Sequence, residues 1–493
     1  MRTFCFWLFL FTFSINAQDN YPKREMRGTW LATVVNIDWP SSSKLSSTDQ
    51  ILELINIFDK LDSAGINTVF FQVRTECDAL YNSNYEPWSY WLTGKQGKNP
   101  DPYFDPLETA IALAHYRGME LHAWLNPYRA VRKSGEYALS GNHISKTHPD
   151  WILSFGDLKM LNPGIPGVTG YINDIIKDII EKYDVDGIHF DDYFYPYSPQ
   201  IQNQDAVVFK QYGKNFTNID DWRRNNINSM ISKVSKTIKS HNPAIKFGVS
   251  PFGIVENKYA GTKGFESYNQ IYCDPLNWIE NNTVDFLTPQ VYWEFGNKNA
   301  PYDKLTKWWA EVTSTVNLFI GQFSSKYSAK DYKNYKKEIP DQILFNRKIE
   351  NVEGQVLFSA KSIFMNYGGL FDNLRNNLFK YPALIPVSKN AASIPPPLPP
   401  VNLRIESTNN NFNICWDNPE ISSSLEIPAY YVIYGFRKNE IPSVNNPENI
   451  LGIVKRMNKN CFAIKNLGIK TFIITSLDRY QKESSADAII NAE

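Results

Sequence analysis

The sequence has no surplus of either charge. Its 493 residues carry 51 Lys plus Arg and 51 Asp plus Glu. Proteins that grip nucleic acid or an anionic membrane normally show a basic excess, so neither partner is expected. A neutral sugar remains compatible with this balance. Cysteine is scarce, five in all with no Cys-x-x-Cys pair, and the six histidines show no metal spacing. No structural zinc site, other metal or cofactor is expected. No segment after the first residues reaches 18 consecutive apolar positions, so no transmembrane helix is expected. A glycine-rich phosphate loop after the first predicted strand is also missing, which weakens a doubly wound dinucleotide fold.

Aromatic residues, in contrast, are plentiful. They make up 14% of the chain, with 13 Trp, 28 Tyr and 30 Phe. Core packing is the plainer use. Sugar binding is the sharper one, because pyranose rings lay their apolar faces on aromatic rings. A hydrophobic content of 43% is ample for a large core. Met1–Ala17 has a positive start at Arg2, a short apolar run over Phe4–Phe13 and small or polar residues after it. That is the shape of a secretory signal, and it predicts an exported protein of the periplasm, cell surface or extracellular space. Cys5 lies inside the apolar run rather than after it, so a lipid anchor is not expected.

Ile394–Val401 reads IPPPLPPV and forces an extended segment. The expected organisation is a signal over 1–17, a large domain over 18–390, a proline-rich linker over 391–400 and a small domain over 401–493. In the large domain, strand patterns fall at Arg27–Val35, Asn67–Arg74, Glu120–Asn126, Asp186–Tyr193, Lys246–Phe252, Asp285–Trp293, Leu318–Phe323 and Gln355–Ala360. Amphipathic helical stretches separate them. The fold class is α/β, a (β/α)8 TIM barrel. The tail alternates at Phe412, Ile414 and Trp416 and again at Tyr430, Val432 and Tyr434, as an all-β sandwich would. Few contacts are expected to cross the linker, so a chain ending near Val387 should fold by itself.

Active sites of this barrel sit at the carboxyl ends of its strands. Alternation puts Ile188 and Phe190 against the helices and turns His189 and Asp191 inward. The same reading sends Gln72 and Arg74, then Trp124 and Asn126, then Gln290, Tyr292 and Glu294 toward the axis. Ser250 is the inward polar candidate of the fifth strand. A barrel end needs some polar residues merely to meet water, and an inward Arg and Asp can form a plain ion pair.

At these residues the barrel resembles the glycosyl-hydrolase-like family 10 of bacterial exported proteins. The stretches that carry the likeness are Arg27–Trp30, Phe71–Arg74, Asp78–Tyr81, Pro87–Ser89, Ala123–Arg129, Leu161–Gly164, Val185–Tyr193, Gly248–Gly253 and Pro289–Trp293. The tail resembles a fibronectin type III domain. The resemblance implies a TIM barrel with glycosidase-type activity, and some relatives act on peptide-free peptidoglycan strands. It supports Asp191 and Asp192 more than Glu294. Tyr193 stands where a chitinase-like pattern would have an acid, which argues against substrate-assisted chitinase chemistry.

Glycoside hydrolysis normally uses two carboxyl groups, one protonated and one ionised. The candidates are Asp191, Asp192 and Glu294. Neighbours on one strand should diverge, which makes Glu294, Glu76 or Asp78 the expected partner of Asp191 unless the strand end curls. Arg74 is the expected cation beside Asp191. Sugar contacts are expected from Gln72, Arg74, Asp78, Asn126, Tyr128, Arg129 and His189. Gln290, Tyr292 and the stacking residues Trp88, Trp124 and Trp293 complete the set. The leading reading is an exported glycosidase acting on a bacterial glycan. A non-catalytic carbohydrate-binding protein or a surface scaffold is the alternative. Cys415 and Cys461 read as outward-facing on neighbouring antiparallel strands, where two separate thiols is the plainer reading and a disulfide the other. The oligomeric state is open.

Overall fold

The computed structural model describes residues 21–492 except 329–336, 409–410, 422–426 and 466–467. The expected signal over Met1–Ala17 lies outside the described residues. Eight parallel strands close a barrel: β1 (Met26–Leu31), β2 (Thr68–Arg74), β3 (Glu120–Leu125), β4 (Gly187–Phe190), β5 (Lys246–Val249), β6 (Phe286–Leu287), β7 (Asn317–Gln322) and β8 (Val352–Phe358). β8 pairs back onto β1. The seven gaps hold α1 (Ser47–Ser63), α2 (Pro106–Tyr116), α3 (Pro166–Lys182), α4 (Ile219–His241), α5 (Pro275–Glu280), α6 (Tyr302–Val312) and α7 (Glu338–Asn346).

Local chemistry explains these elements. The Ser46 hydroxyl caps α1 by accepting the Asp49 N–H at 3.1 Å, and Leu54, Ile57, Phe58 and Leu61 form its buried stripe. Along β2, Val69, Phe71 and Val73 face the helix ring, while Phe70 joins Trp30, Trp124, Phe286 and Val356 in a separate cluster inside the barrel. Two glycines make room for the rings that fill the axis. A Cβ on Gly187 would meet the His122 ring at 2.4 Å, and one on Gly248 would meet the Phe286 ring at 2.1 Å.

Seven of the eight strands end sooner than alternation predicts, by one to six residues, and three of these ends have a visible cause or consequence. β1 stops at Leu31, because the Asp38 carboxylate draws the Ala32 N–H into a loop at 2.7 Å. β6 stops at Leu287. Pro289 has no N–H for the ladder, and only bridges at Gln290 continue the edge. β4 stops at Phe190, so Asp191 and Asp192 lie just past its carboxyl end.

The tail forms β9 (Val401–Thr408), β10 (Asn411–Asp417), β11 (Tyr430–Arg437), β12 (Ile450–Lys455), β13 (Asn460–Lys465), β14 (Ile469–Leu477) and β15 (Ile489–Asn491). They make two antiparallel sheets, β9-β10-β13 and β12-β11-β14-β15. Cys415 and Cys461 sit directly opposite in the β10–β13 register, their Cα atoms 4.1 Å apart, and are joined as a disulfide. Two separate thiols is therefore the wrong reading, and Cys415 is fully buried rather than outward. Cys77 and Cys273 are free and buried.

The expectation of few contacts across the linker does not hold. The sandwich covers the amino-terminal end of the barrel strands, opposite the end where sites form. Gln481 donates to Glu120 at 2.7 Å, Lys23 pairs with Glu483 at 2.6 Å, and Arg479 and Lys455 both reach Asp184. Leu384, before the prolines, belongs to the apolar cluster of Tyr430, Val432 and Tyr434. Burial opposes the charge of Glu120, but Lys246 and His122 outweigh it and hold the carboxyl below its usual range.

Candidate active site

After Phe190 the chain leaves the sheet and curls. The Tyr193 N–H turns back to Oδ1 of Asp191 at 3.3 Å, and the Phe194 N–H bonds the Asp192 carbonyl at 2.9 Å. The curl brings both carboxyl groups to one cleft at the carboxyl end of the barrel. Alternation alone would have sent Asp192 away, and it stops applying once the strand ends.

The two acids have unequal surroundings. Asp191 receives the Trp124 indole N–H at 3.1 Å and the Asn126 amide at 3.2 Å, both on Oδ2. Burial pushes its carboxyl up to about 6, against the opposing pull of Arg129 and these donors. Asp192 accepts from the Tyr197 hydroxyl and from Gln290. Burial, and after it the charge of Asp191, push Asp192 up to about 7. The surroundings therefore favour ionisation of Asp191 and protonation of Asp192.

The cleft has a volume of about 250 Å³. Trp30, Trp124, Tyr193, Tyr292 and Phe358 give it aromatic walls, and Arg129, Gln72, Ser250 and Gln290 give it polar ones. The β1–α1 loop closes one side through Ala32, Val34 and Ile37. Gln72 fixes that loop, its Oε1 accepting the Thr33 and Val34 N–H groups at 3.0 Å each. At the rim, Val35 has φ 55° and is 44% exposed. A β-branched residue rarely adopts that conformation, so the loop is held there against its preference.

Several predicted site residues lie elsewhere. Arg74 does not reach Asp191. Its guanidinium pairs with Glu86 at 2.7 Å and bonds the Pro127 carbonyl at 3.2 Å, and Arg129 is the cation beside Asp191 instead. Asp78 caps its own turn, accepting from the Thr75 and Glu76 N–H groups at 3.0 and 2.9 Å. Glu76 is buried and held by the Trp91 indole and the Tyr137 hydroxyl. Trp88 packs edge-on against Tyr103, and Tyr128 is buried in the helix-facing core. His189 lies beneath the cleft and accepts the Trp30 indole N–H at 3.2 Å, with burial keeping it neutral. Asn126 stands behind the wall, joining Asp191 to the Arg129 main chain at 2.9 Å. Glu294 is not brought to the two aspartates. It pairs with Lys326 in an adjoining recess beside Trp293, and that ammonium outweighs partial burial to hold the carboxyl below its usual range. Trp30 and Tyr197 were missed as site residues. Trp30 was findable, since β1 alternation puts it on the inner side with Gly28.

The sequence profile of the family described as glycosyl hydrolase-like 10 matches residues 25–337, which contain both aspartates and every residue of the cleft except Phe358. Glycosyl hydrolase YngK of Bacillus subtilis (strain 168) is 36% identical over 491 residues, 96% of this chain and 94% of that protein. The chain belongs to the glycosyl hydrolase-like 10 family. A further relative, glycosyl hydrolase DigH of Escherichia coli (strain K12), is 40% identical over 328 residues, 62% of this chain and 74% of that one. Among solved structures, the glycoside hydrolase domain of PgaB (BpsB) from Bordetella bronchiseptica aligns over 72% of this chain and 98% of its own, at 10% identity and a TM-score of 0.45. As a member of the glycosyl hydrolase-like 10 family, the chain is a glycoside hydrolase. No helix among the described residues is long and apolar enough to cross a membrane.

Proposed function

We propose that this chain is an exported glycoside hydrolase that cleaves a bacterial glycan, the strands of peptidoglycan freed of peptides, with Asp191 and Asp192 as its working acids. The observation that carries this reading is the pair of adjacent buried carboxyls in unequal surroundings inside an aromatic cleft. Asp192 holds a proton near neutral pH and donates it to the departing glycosidic oxygen. Asp191, ionised and backed by the Trp124 and Asn126 donors, carries the negative charge that meets the positive charge growing at the anomeric carbon. Trp30, Trp124 and Tyr193 offer ring faces to the sugar. Export is supported by the signal-shaped leader and by the Cys415–Cys461 disulfide, a bond that persists in oxidising compartments.

The test is incubation of the purified protein with a panel of glycans, peptide-free peptidoglycan strands among them, read by mass spectrometry. Shortened strands from the wild type and none from Asp191→Asn are expected. Intact strands together with cleavage of another glycan would overturn the substrate, and tight binding without cleavage of any glycan would overturn hydrolysis.

A further inference from the structure

Four arginines are buried among the described residues: Arg27, Arg74, Arg129 and Arg223. Three have a carboxylate partner, Glu25 at 2.8 Å, Glu86 at 2.7 Å and Asp205 at 2.6 Å. Arg129 alone forms no ion pair with a described residue. It is 7% exposed, and what remains exposed opens on the cleft. Its Nε is committed to the Thr75 carbonyl at 3.0 Å, and its guanidinium carbon stands 5.0 Å from the centre of the Tyr193 ring. Its charge is felt by Asp191 and Glu76, yet neither is in ion-pair contact with it. Glu76 is occupied by Trp91, Tyr137 and the Arg132 N–H.

A buried guanidinium is costly to desolvate, and its two Nη groups form a fork that suits one carboxylate. We infer that Arg129 takes its missing counter-ion from the substrate, and that the enzyme selects glycans bearing a free carboxylate on the sugar bound beside Asp191. This rests on the assignment of the cleft as a glycosidase site. The chemistry fits the lactyl ether acid of a peptide-free muramyl unit and also a uronic acid. A peptide-bearing muramyl unit has an amide there, which offers no charge and adds bulk. The Tyr193 ring, its centre 5.0 Å from the guanidinium carbon, steadies the fork by a cation–π contact and leaves its Nη groups to the ligand.

The experiment compares kcat/KM on three substrates: peptide-free peptidoglycan strands, the same strands with their carboxylates converted to primary amides by carbodiimide coupling, and an oligouronide. The wild type should favour the acid strands over the amidated ones by about 10- to 100-fold, the range of a charge-assisted hydrogen bond. Arg129→Gln should lose activity on the acid strands and bring that ratio close to one. Arg129→Lys, which keeps charge but not the fork, should fall between. Equal cleavage of acid and amidated strands by the wild type overturns the inference while leaving the hydrolase assignment intact. A ratio unchanged in a folded Arg129→Gln assigns the arginine to Asp191 alone and also overturns it. Cleavage of the oligouronide with the same Arg129 dependence, and not of the strands, supports carboxylate selection and overturns peptidoglycan as the substrate. Failure on all three, two of which carry free carboxylates, overturns the inference together with the proposed substrate class.

Discussion

The indole N–H of Trp124 donates to Oδ2 of Asp191 at 3.1 Å. Trp124 comes from β3 and Asp191 from the end of β4, so the bond spans two adjacent strands paired at Trp124 and His189. It also separates two neighbouring acids that share one buried cleft. Asp191 gathers donors from Trp124, Asn126 and the Tyr193 main chain, all of which favour the ionised form. Asp192 accepts as many hydrogen bonds, from Tyr197, Gln290 and its own main chain, but its charged neighbour is the negative Asp191, whereas that of Asp191 is the cation Arg129. The acid and base roles then follow from environment and not from residue type.

Asp191→Asn keeps the volume and removes the charge. Turnover should fall by about 10⁴-fold, in the range of a missing catalytic carboxylate, with folding retained. Asp192→Asn should lose about 100- to 10,000-fold on natural glycans, the usual contribution of a general acid. An aryl glycoside whose leaving group needs no protonation distinguishes the roles. Asp192→Asn should recover most of its activity on it, and Asp191→Asn should not. Equal loss in both variants on the activated substrate would reverse or abolish this assignment.

The same pair makes stability depend on pH. Both carboxyls titrate higher folded than unfolded, near 6 and 7 against an ordinary 3.8. Their contribution is present in acid and is lost as pH rises toward the folded values, because the native state must then bury two charges. Asp192→Asn lacks that cost. Its stability relative to the wild type should rise by about 2–3 kcal/mol between pH 5 and pH 8, since each tenfold difference in proton affinity between folded and unfolded chains is worth about 1.4 kcal/mol. Chemical denaturation at the two pH values measures it, and parallel curves would place Asp192 in a solvated site.

Glu294→Gln should leave kcat/KM within about threefold of the wild type. Its carboxylate is occupied by Lys326, and it lines a recess separate from the aspartates. A partly exposed pair of that kind adds little stability, roughly 0–1 kcal/mol. A loss comparable to that of Asp191→Asn would make Glu294 the second acid and remove Asp192 from the role.

Much of the barrel was legible because period-two alternation survives in strands covered on both sides. It located all eight strands and turned His189 toward the axis. It failed where strands stop. Past Phe190 and Leu287 the backbone no longer alternates, so Asp192 was sent outward and Glu294 inward. It also gives a side and not a reach. Arg74 starts inward, yet its long side chain bends to Glu86, twelve positions along the loop. Tyr197 and the β1–α1 wall depend on loop paths that no periodicity encodes. The sandwich contact was hidden because a proline run reads as a spacer, whereas Leu384 packs on the sandwich and the Ser388 N–H bonds the Tyr480 carbonyl before the run begins.

That contact reverses the expectation of a self-sufficient barrel. A chain ending at Val387 would uncover the amino-terminal end of the strands. Glu120 would keep Lys246 and His122 but lose Gln481, and Leu384 would lose Tyr430 and Tyr434. Asp184 would lose both of its cations from the sandwich, Arg479 and Lys455. The truncated protein should melt well below the full chain or aggregate on purification. Gln481→Leu tests the same contact without truncation. It leaves a buried carboxylate oxygen with one donor fewer and should cost about 1.5–3 kcal/mol, the range for a hydrogen bond to a charged group. Activity at about 25 °C should persist in Gln481→Leu, because the change is at the end of the barrel opposite Asp191. A truncated chain that melts cooperatively at the temperature of the full protein would restore the independent barrel, and the sandwich would then be a passenger and not the base of the fold.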